Sequence, residues 1–196
     1  MANADTPFGA KPVKHLNGMP WNGKFNIYYK EDAESLFIGS IVASGGTADA
    51  TGKYPTVKLA TTTPPRGIVV GFSTTPYITA DPANLSRVYS PSTETGIYVA
   101  VADDPGIIFE MQEDSTTALT ITEVGLNFSP TTESGNTTTG KSTIEIDCST
   151  ELTTSTLSMK LLRVVDRPDN ALGTNCKWEC MFNAHELGQG LGSTAI

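Results

Sequence analysis

Charge is scarce in this sequence, and so are histidine, cysteine and long apolar runs. Asp, Glu, Lys and Arg make up 17% of the 196 residues, against roughly 25% in an average globular protein. With only His15 and His185, a Ser/His or Cys/His pairing would have to draw on the two ends of the chain. No serine stands in a nucleophile-elbow context. Three cysteines, Cys148, Cys176 and Cys180, are too few and odd in number for a disulfide framework. Apolar runs fall far short of the roughly 20 residues of a membrane helix. No apolar h-region opens the chain, so the expectation is a soluble protein made in a cytoplasm, with no membrane partner. Helical periodicity is nearly missing. One turn at 81–87, with Asp81 as cap and Pro82 at the first position, is the single helical expectation.

Threonine, by contrast, is the commonest residue, and 18 glycines and 12 prolines accompany it. Threonine's branched Cβ suits a pleated surface, and Gly and Pro mark turns. Ten short segments rich in β-branched and aromatic residues read as strands: 25–30, 36–43, 56–61, 67–72, 96–102, 107–112, 119–128, 142–147, 156–165 and 177–183. In the last of these Cys176, Trp178, Cys180 and Phe182 share one face, and Lys177, Glu179, Met181 and Asn183 share the other. Asp103-Asp104-Pro105-Gly106 predicts a tight turn closing two strands into a hairpin. The fold expected is all-β, an antiparallel sandwich or barrel of short strands over 25–187. An extended, irregular N-terminal arm (1–24) precedes it and a glycine-rich, flexible C-terminal tail (188–196) follows.

Net charge is −8, which disfavours a nucleic-acid partner. The charge is uneven. Residues 1–30 carry Lys11, Lys14, Lys24 and Lys30 against Asp5 alone, a local balance of +3 that leaves −11 for the rest. Turn dipeptides and prolines leave the arm no room for a regular element. Yet Phe8, Val13, Leu16, Met19 and Trp21 are scattered through it, which a disordered tail would usually lack. A basic, anchor-bearing arm suggests a segment ordered against a neighbouring subunit or an acidic surface. Folding back on its own domain is the alternative.

Gly135-Asn136-Thr137-Thr138-Thr139-Gly140-Lys141-Ser142 matches the phosphate-binding pattern G-x-x-x-x-G-K-[ST] in full. That chemistry needs a strand entering the first glycine and a helix starting at the lysine, so that backbone N–H groups and a helix N-terminus hold the phosphates. A polar run with Pro130 precedes the match, and a strand-like alternation follows it. The segment therefore reads as a turn, with no cofactor. Cys176 and Cys180 with His185 invite a zinc site. Four residues along a strand span about 13 Å, too far for one ion or for a disulfide. The acid pairs Asp103-Asp104 and Glu113-Asp114 lack the spacing of a calcium loop. Asn84, Asn127 and Asn136 fit the glycosylation sequon without a secretion signal. No catalytic, cofactor or metal residue is assigned.

Ala2-Asn3-Ala4-Asp5-Thr6-Pro7-Phe8-Gly9, Lys11-Pro12-Val13-Lys14-His15-Leu16-Asn17-Gly18 and Pro20-Trp21-Asn22-Gly23 resemble the opening of a family of tailed-bacteriophage capsid decoration, or cement, proteins. Val101-Ala102-Asp103-Asp104-Pro105, Phe109-Glu110-Met111-Gln112-Glu113-Asp114, Thr138-Thr139-Gly140-Lys141-Ser142, Arg167-Pro168-Asp169-Asn170 and Gly173-Thr174-Asn175-Cys176-Lys177-Trp178 look like the same family. The resemblance spans nearly the whole chain. It implies a structural protein and not an enzyme, located on the outer surface of the virion. Its partners would be the major capsid protein and neighbouring copies of itself, with a homotrimer favoured. In that family the Thr-Thr-Gly-Lys-Ser run implies a surface loop. A tail or host-surface-binding component of such a virion is the alternative.

Overall fold

The computed structural model of the chain describes residues 3–60, 64–76, 88–151 and 153–188. The helical turn expected at 81–87, the Asn84 sequon and residues 189–196 of the expected tail lie outside the described residues. In chain order the strands are β1 Lys11–His15, β2 Asn26–Lys30, β3 Leu36–Phe37, β4 Ile41–Ala48, β5 Pro55–Leu59, β6 Gly67–Ser73, β7 Tyr89–Ser90, β8 Tyr98–Ala102, β9 Ile107–Gln112, β10 Asn127–Phe128, β11 Met159–Val164 and β12 Lys177–Phe182. The protein is nearly all β. Five strands close a small barrel in the order β2-β5-β4-β6-β8. Five others form a sheet in the order β1-β9-β12-β11-β10, and β3 pairs with β7. Every ladder is antiparallel except the short parallel β2–β5 contact that closes the barrel. Among the described residues no helix is long and apolar enough to cross a membrane.

Two cores follow from strand alternation. Val42, Val57, Val69, Phe72, Val99 and Val101 point into the barrel. Their neighbours Ile41, Ile68 and Ala102 point the other way, onto a second core shared with Phe109, Trp178 and Cys180 of the sheet. The strands β4, β6 and β8 thus bury both faces along part of their length, which is why they read as apolar runs and not as alternations. On β12 the expected alternation holds, with Trp178, Cys180 and Phe182 buried and Lys177, Glu179 and Met181 only half-buried.

Several local expectations are corrected. The turn at 103–106 forms, with the Ile107 N–H donating to the Asp104 carbonyl at 3.1 Å, but it closes no hairpin. β8 pairs with β2 and β6, whereas β9 pairs with β1 and β12. The turn carries the chain from barrel to sheet. Its carboxylates anchor both: buried Asp103 accepts from Tyr28 Oη at 2.6 Å on the barrel, and Asp104 Oδ2 lies 3.0 Å from His15 Nδ1 at the end of β1. The strand expected at 119–128 is mostly a single 3-10 turn, Ile121–Glu123, followed by β10. Thr120 and Glu123 form a capping box there, with Glu123 Oε2 accepting from the Thr120 N–H at 2.6 Å. The strand expected at 36–43 breaks at a turn into β3 and β4, where the Ser40 N–H donates to the Phe37 carbonyl.

The N-terminal segment differs as well. It was expected to hold no regular element, yet residues 11–15 form β1 on the edge of the sheet. The sequence 15–19 turns back on itself, with the His15 N–H donating to the Met19 carbonyl at 2.8 Å and the Trp21 N–H to Val13 at 3.0 Å. Pro12 does not prevent this, because an edge strand has positions that need no N–H donor.

Candidate functional site

A cleft of about 840 Å³ opens between this N-terminal segment and the loop at 135–143. Its apolar floor includes Phe8, Pro12 and Trp21 from the segment and Ile38 and Val70 from the barrel side. The Ala10 N–H, bonded to the Gly39 carbonyl at 3.0 Å, holds the segment in place. Trp21 packs against the sheet's core while its indole N–H donates to the Lys24 carbonyl at 3.2 Å. Around the rim stand Lys11, Lys141, Lys177 and Arg167. Arg167 is matched by nearly buried Glu110, with Nη2 to Oε1 at 2.7 Å and Nη1 to Oε2 at 3.2 Å. Lys11, Lys141 and Lys177 form no ion pair among the described residues. Asp5 also lines the cleft, so an acidic protein carries a cleft with an apolar floor and a net positive lining, three lysines without an ion pair against one aspartate.

One wall of the cleft is the segment that matches the phosphate-binding pattern. It is a turn, as its flanks imply. Asn136 and Lys141 form a bridge, and the Asn136 side chain accepts from the Thr138 and Thr139 N–H groups at 2.9 and 3.0 Å. The Gly135 and Thr143 N–H groups go to Glu133 Oε1 at 2.8 and 3.1 Å. Glu133 Oε2 accepts from Ser142 Oγ at 2.5 Å and from Ser40 Oγ at 2.7 Å. Amides that would cradle a phosphate are already bonded within the chain, those of Gly135, Thr138 and Thr139 to side chains and those of Asn136, Gly140 and Ser142 to backbone carbonyls, and the serine that would hold magnesium is bonded to a carboxylate. No helix begins at Lys141. Both glycines have a local reason. They take φ of +59° and +70°, and a Cβ there would collide with the Phe37 ring at Gly135 and with Val88 at Gly140.

The neighbouring stretch 142–147 also follows from Glu133. Its burial alternates as expected, with Ser142, Ile144 and Ile146 buried. It forms only isolated bridges at Ile146 and not a ladder strand. Side chains take the N–H groups that a partner strand would have taken: Glu133 at Thr143 and Thr131 at Glu145.

The remaining candidates are dispersed. Cys180, on the buried face of β12, and Cys176, just before that strand, are buried free thiols. Burial pushes the Cys176 thiol up to about 11 and raises Cys180 well above the ordinary thiol range. His185 packs at a tilt against Phe182, ring centroids 5.3 Å apart, and burial lowers its pKa. Among the described residues no three His, Cys, Asp or Glu side chains gather to hold a metal. Glu113 is fully buried, its Oε2 accepting from the Trp178 indole at 2.7 Å while Oε1 has no partner. Burial pushes it up to about 7. Glu145 rises to about 7 too, from burial and then from Asp5 and Asp114 nearby.

The apolar residues expected to anchor the arm divide into two sets. Phe8 and Trp21 are half-buried against their own chain. Leu16 and Met19, at the tip of the 15–19 turn, are 62% and 61% exposed. The cleft itself was not foreseen. Lys11 and Lys177 lie 166 positions apart, and only the β1-β9-β12 order brings their strands close. No family model, curated protein or solved structure matches the chain.

Proposed function

We propose that the chain is a virion structural protein that binds the outside of an assembled phage capsid and stabilises it. It acts by binding and not by catalysis, beside the major capsid protein and neighbouring copies of itself, with a trimer favoured. The family resemblance of its sequence motivates this reading. The observation that carries it is the N-terminal turn: a backbone ladder holds the segment to the body, yet Leu16 and Met19 project from it into solvent. Exposed apolar side chains on a rigidly held tip are suited to enter a pocket on a shell. Burying each would contribute about 1.5–3 kcal/mol, multiplied where several copies engage together. Removing residues 1–24 would delete an edge strand, so a clean test substitutes the tip. The double variant Leu16→Asp, Met19→Asp should fold with unchanged circular dichroism and bind capsids at least about tenfold more weakly. Normal decoration by this variant would refute the tip contact. Electron cryomicroscopy of the particle tests the wider reading, which fails if the protein sits on the tail. That outcome would favour a tail or host-surface-binding component.

A further inference from the structure

We infer that the basic cleft receives the acidic turn at 31–34 of a second copy of the chain. This deepens the decoration reading, since it names the self-contact through which neighbouring copies would brace one another. Three observations meet in it. First, the cleft presents Lys11, Lys141 and Lys177 without an ion pair among the described residues, above an apolar floor. Cations so placed attract carboxylates and repel the like-charged rim of another cleft. Second, Glu31-Asp32-Ala33-Glu34 is the densest acidic run in the sequence. Neither Asp32 nor Glu34 forms an ion pair among the described residues, and Asp32 is exposed. Lys30 is fully buried, donates to the Glu34 and Pro91 carbonyls at 2.8 and 3.0 Å, and interacts with the Asp32, Glu34 and Glu94 carboxylates only through space. Its ammonium is directed at the backbone of the turn and not at the carboxylates. Third, the turn is preorganised: Ala33 sits at φ +66°, a left-handed conformation costly for a residue with a side chain. A rigid acidic knuckle and an unmatched basic cleft on one chain are complementary between copies, and a contact between different patches builds rings when the rotation closes.

The test needs no capsid. Sedimentation equilibrium of the full chain at low salt should show self-association that weakens as salt rises. The cleft variant Lys141→Glu, Lys177→Glu and the turn variant Asp32→Lys, Glu34→Lys should each weaken association by on the order of tenfold or more. An equimolar mixture of the two should associate again, because each reversed surface then meets its complement. Circular dichroism and thermal melts verify that both variants fold. A chain that stays monomeric at all concentrations overturns the inference. So does association unmoved by either reversal, or a mixture that stays dissociated. Capsid binding by the same variants separates the two readings. A wild-type chain that never self-associates yet still coats shells leaves the decoration role standing and removes only this contact. If the wild type is monomeric and the cleft reversal alone abolishes its capsid binding, the self-contact is overturned and the cleft is assigned to an acidic segment of the shell instead.

Discussion

The phosphate-motif look-alike at 135–142 and the N-terminal segment at 3–24 face each other across one cleft, and their sequences mislead in opposite directions. The first carries a specific pattern and is a self-contained turn. Its amides, its serine and both its glycines are occupied within the chain by Asn136, Glu133, Phe37 and Val88. The second carries prolines and turn dipeptides that suggest irregularity, yet it supplies an edge strand, a packed tryptophan and an exposed apolar tip. A motif gains its chemistry from what its backbone groups are free to do. A segment gains order from where its backbone can pair.

If the look-alike is a packing device, its glycines should matter more than its lysine. Gly135→Ala is expected to cost about 3 kcal/mol or more, because it combines a left-handed backbone with a collision against the Phe37 ring. Urea unfolding followed by fluorescence measures this. A cost under about 1 kcal/mol would mean the loop is loose and could rearrange around a ligand.

On the opposite wall, Trp21→Ala is expected to cost about 2 kcal/mol, less than a full core deletion since the ring is only half-buried. Leu16→Ala should change stability by less than about 0.5 kcal/mol. Equal effects at the two positions, measured by the same unfolding assay, would erase the distinction between packed anchor and projecting tip.

Acid should tighten the junction where the N-terminal segment meets the sheet. Glu145 lies near Asp5 of that segment, and Glu113 lies under Trp178. Both carboxyls have folded pKa values raised to about 7. Between the unfolded value near 4.5 and the folded value, the native state holds more protons than the unfolded state. The stabilising contribution is therefore full below about 4.5 and is lost as pH rises through about 7. For Glu113 the swing is on the order of 3 kcal/mol. Glu113→Gln should flatten that part of the profile, since an amide needs no ionisation and can still accept from the indole. Unchanged pH dependence in this variant would show that Glu113 is not the titrating group.

Much of the fold could be read from residues. The burial on β12, both ends of β9, the start of β6, the end of β8 and the turn at 103–106 all lay in local patterns. What could not be read was pairing. Asp103 and Asp104 mark a turn equally well whether the flanking strands pair or part, and only Tyr28 and His15, distant in sequence, decide it. The stretch 142–147 looks like a strand because its side chains alternate, while Glu133 and Thr131 quietly take its ladder bonds. The Thr120-x-x-Glu123 box, however, was a legible signal inside the segment expected at 119–128. The cleft required strand order, because its lysines come from opposite ends of the chain.

The smallest expected effect is the one that divides the two walls most sharply. In a phosphate-binding loop the lysine is indispensable, whereas here Lys141 is exposed and makes no ion pair among the described residues. Lys141→Ala should therefore shift stability by less than about 0.5 kcal/mol. Titration calorimetry with magnesium and ATP should give no saturable heat from either protein, because Asn136, Glu133 and the Ile38 carbonyl hold amides that phosphates would need. Saturable binding to the wild type that vanishes in Lys141→Ala would mean those bonds open for a nucleotide. The loop would then be a concealed site, and the contrast with the N-terminal wall would have to be redrawn.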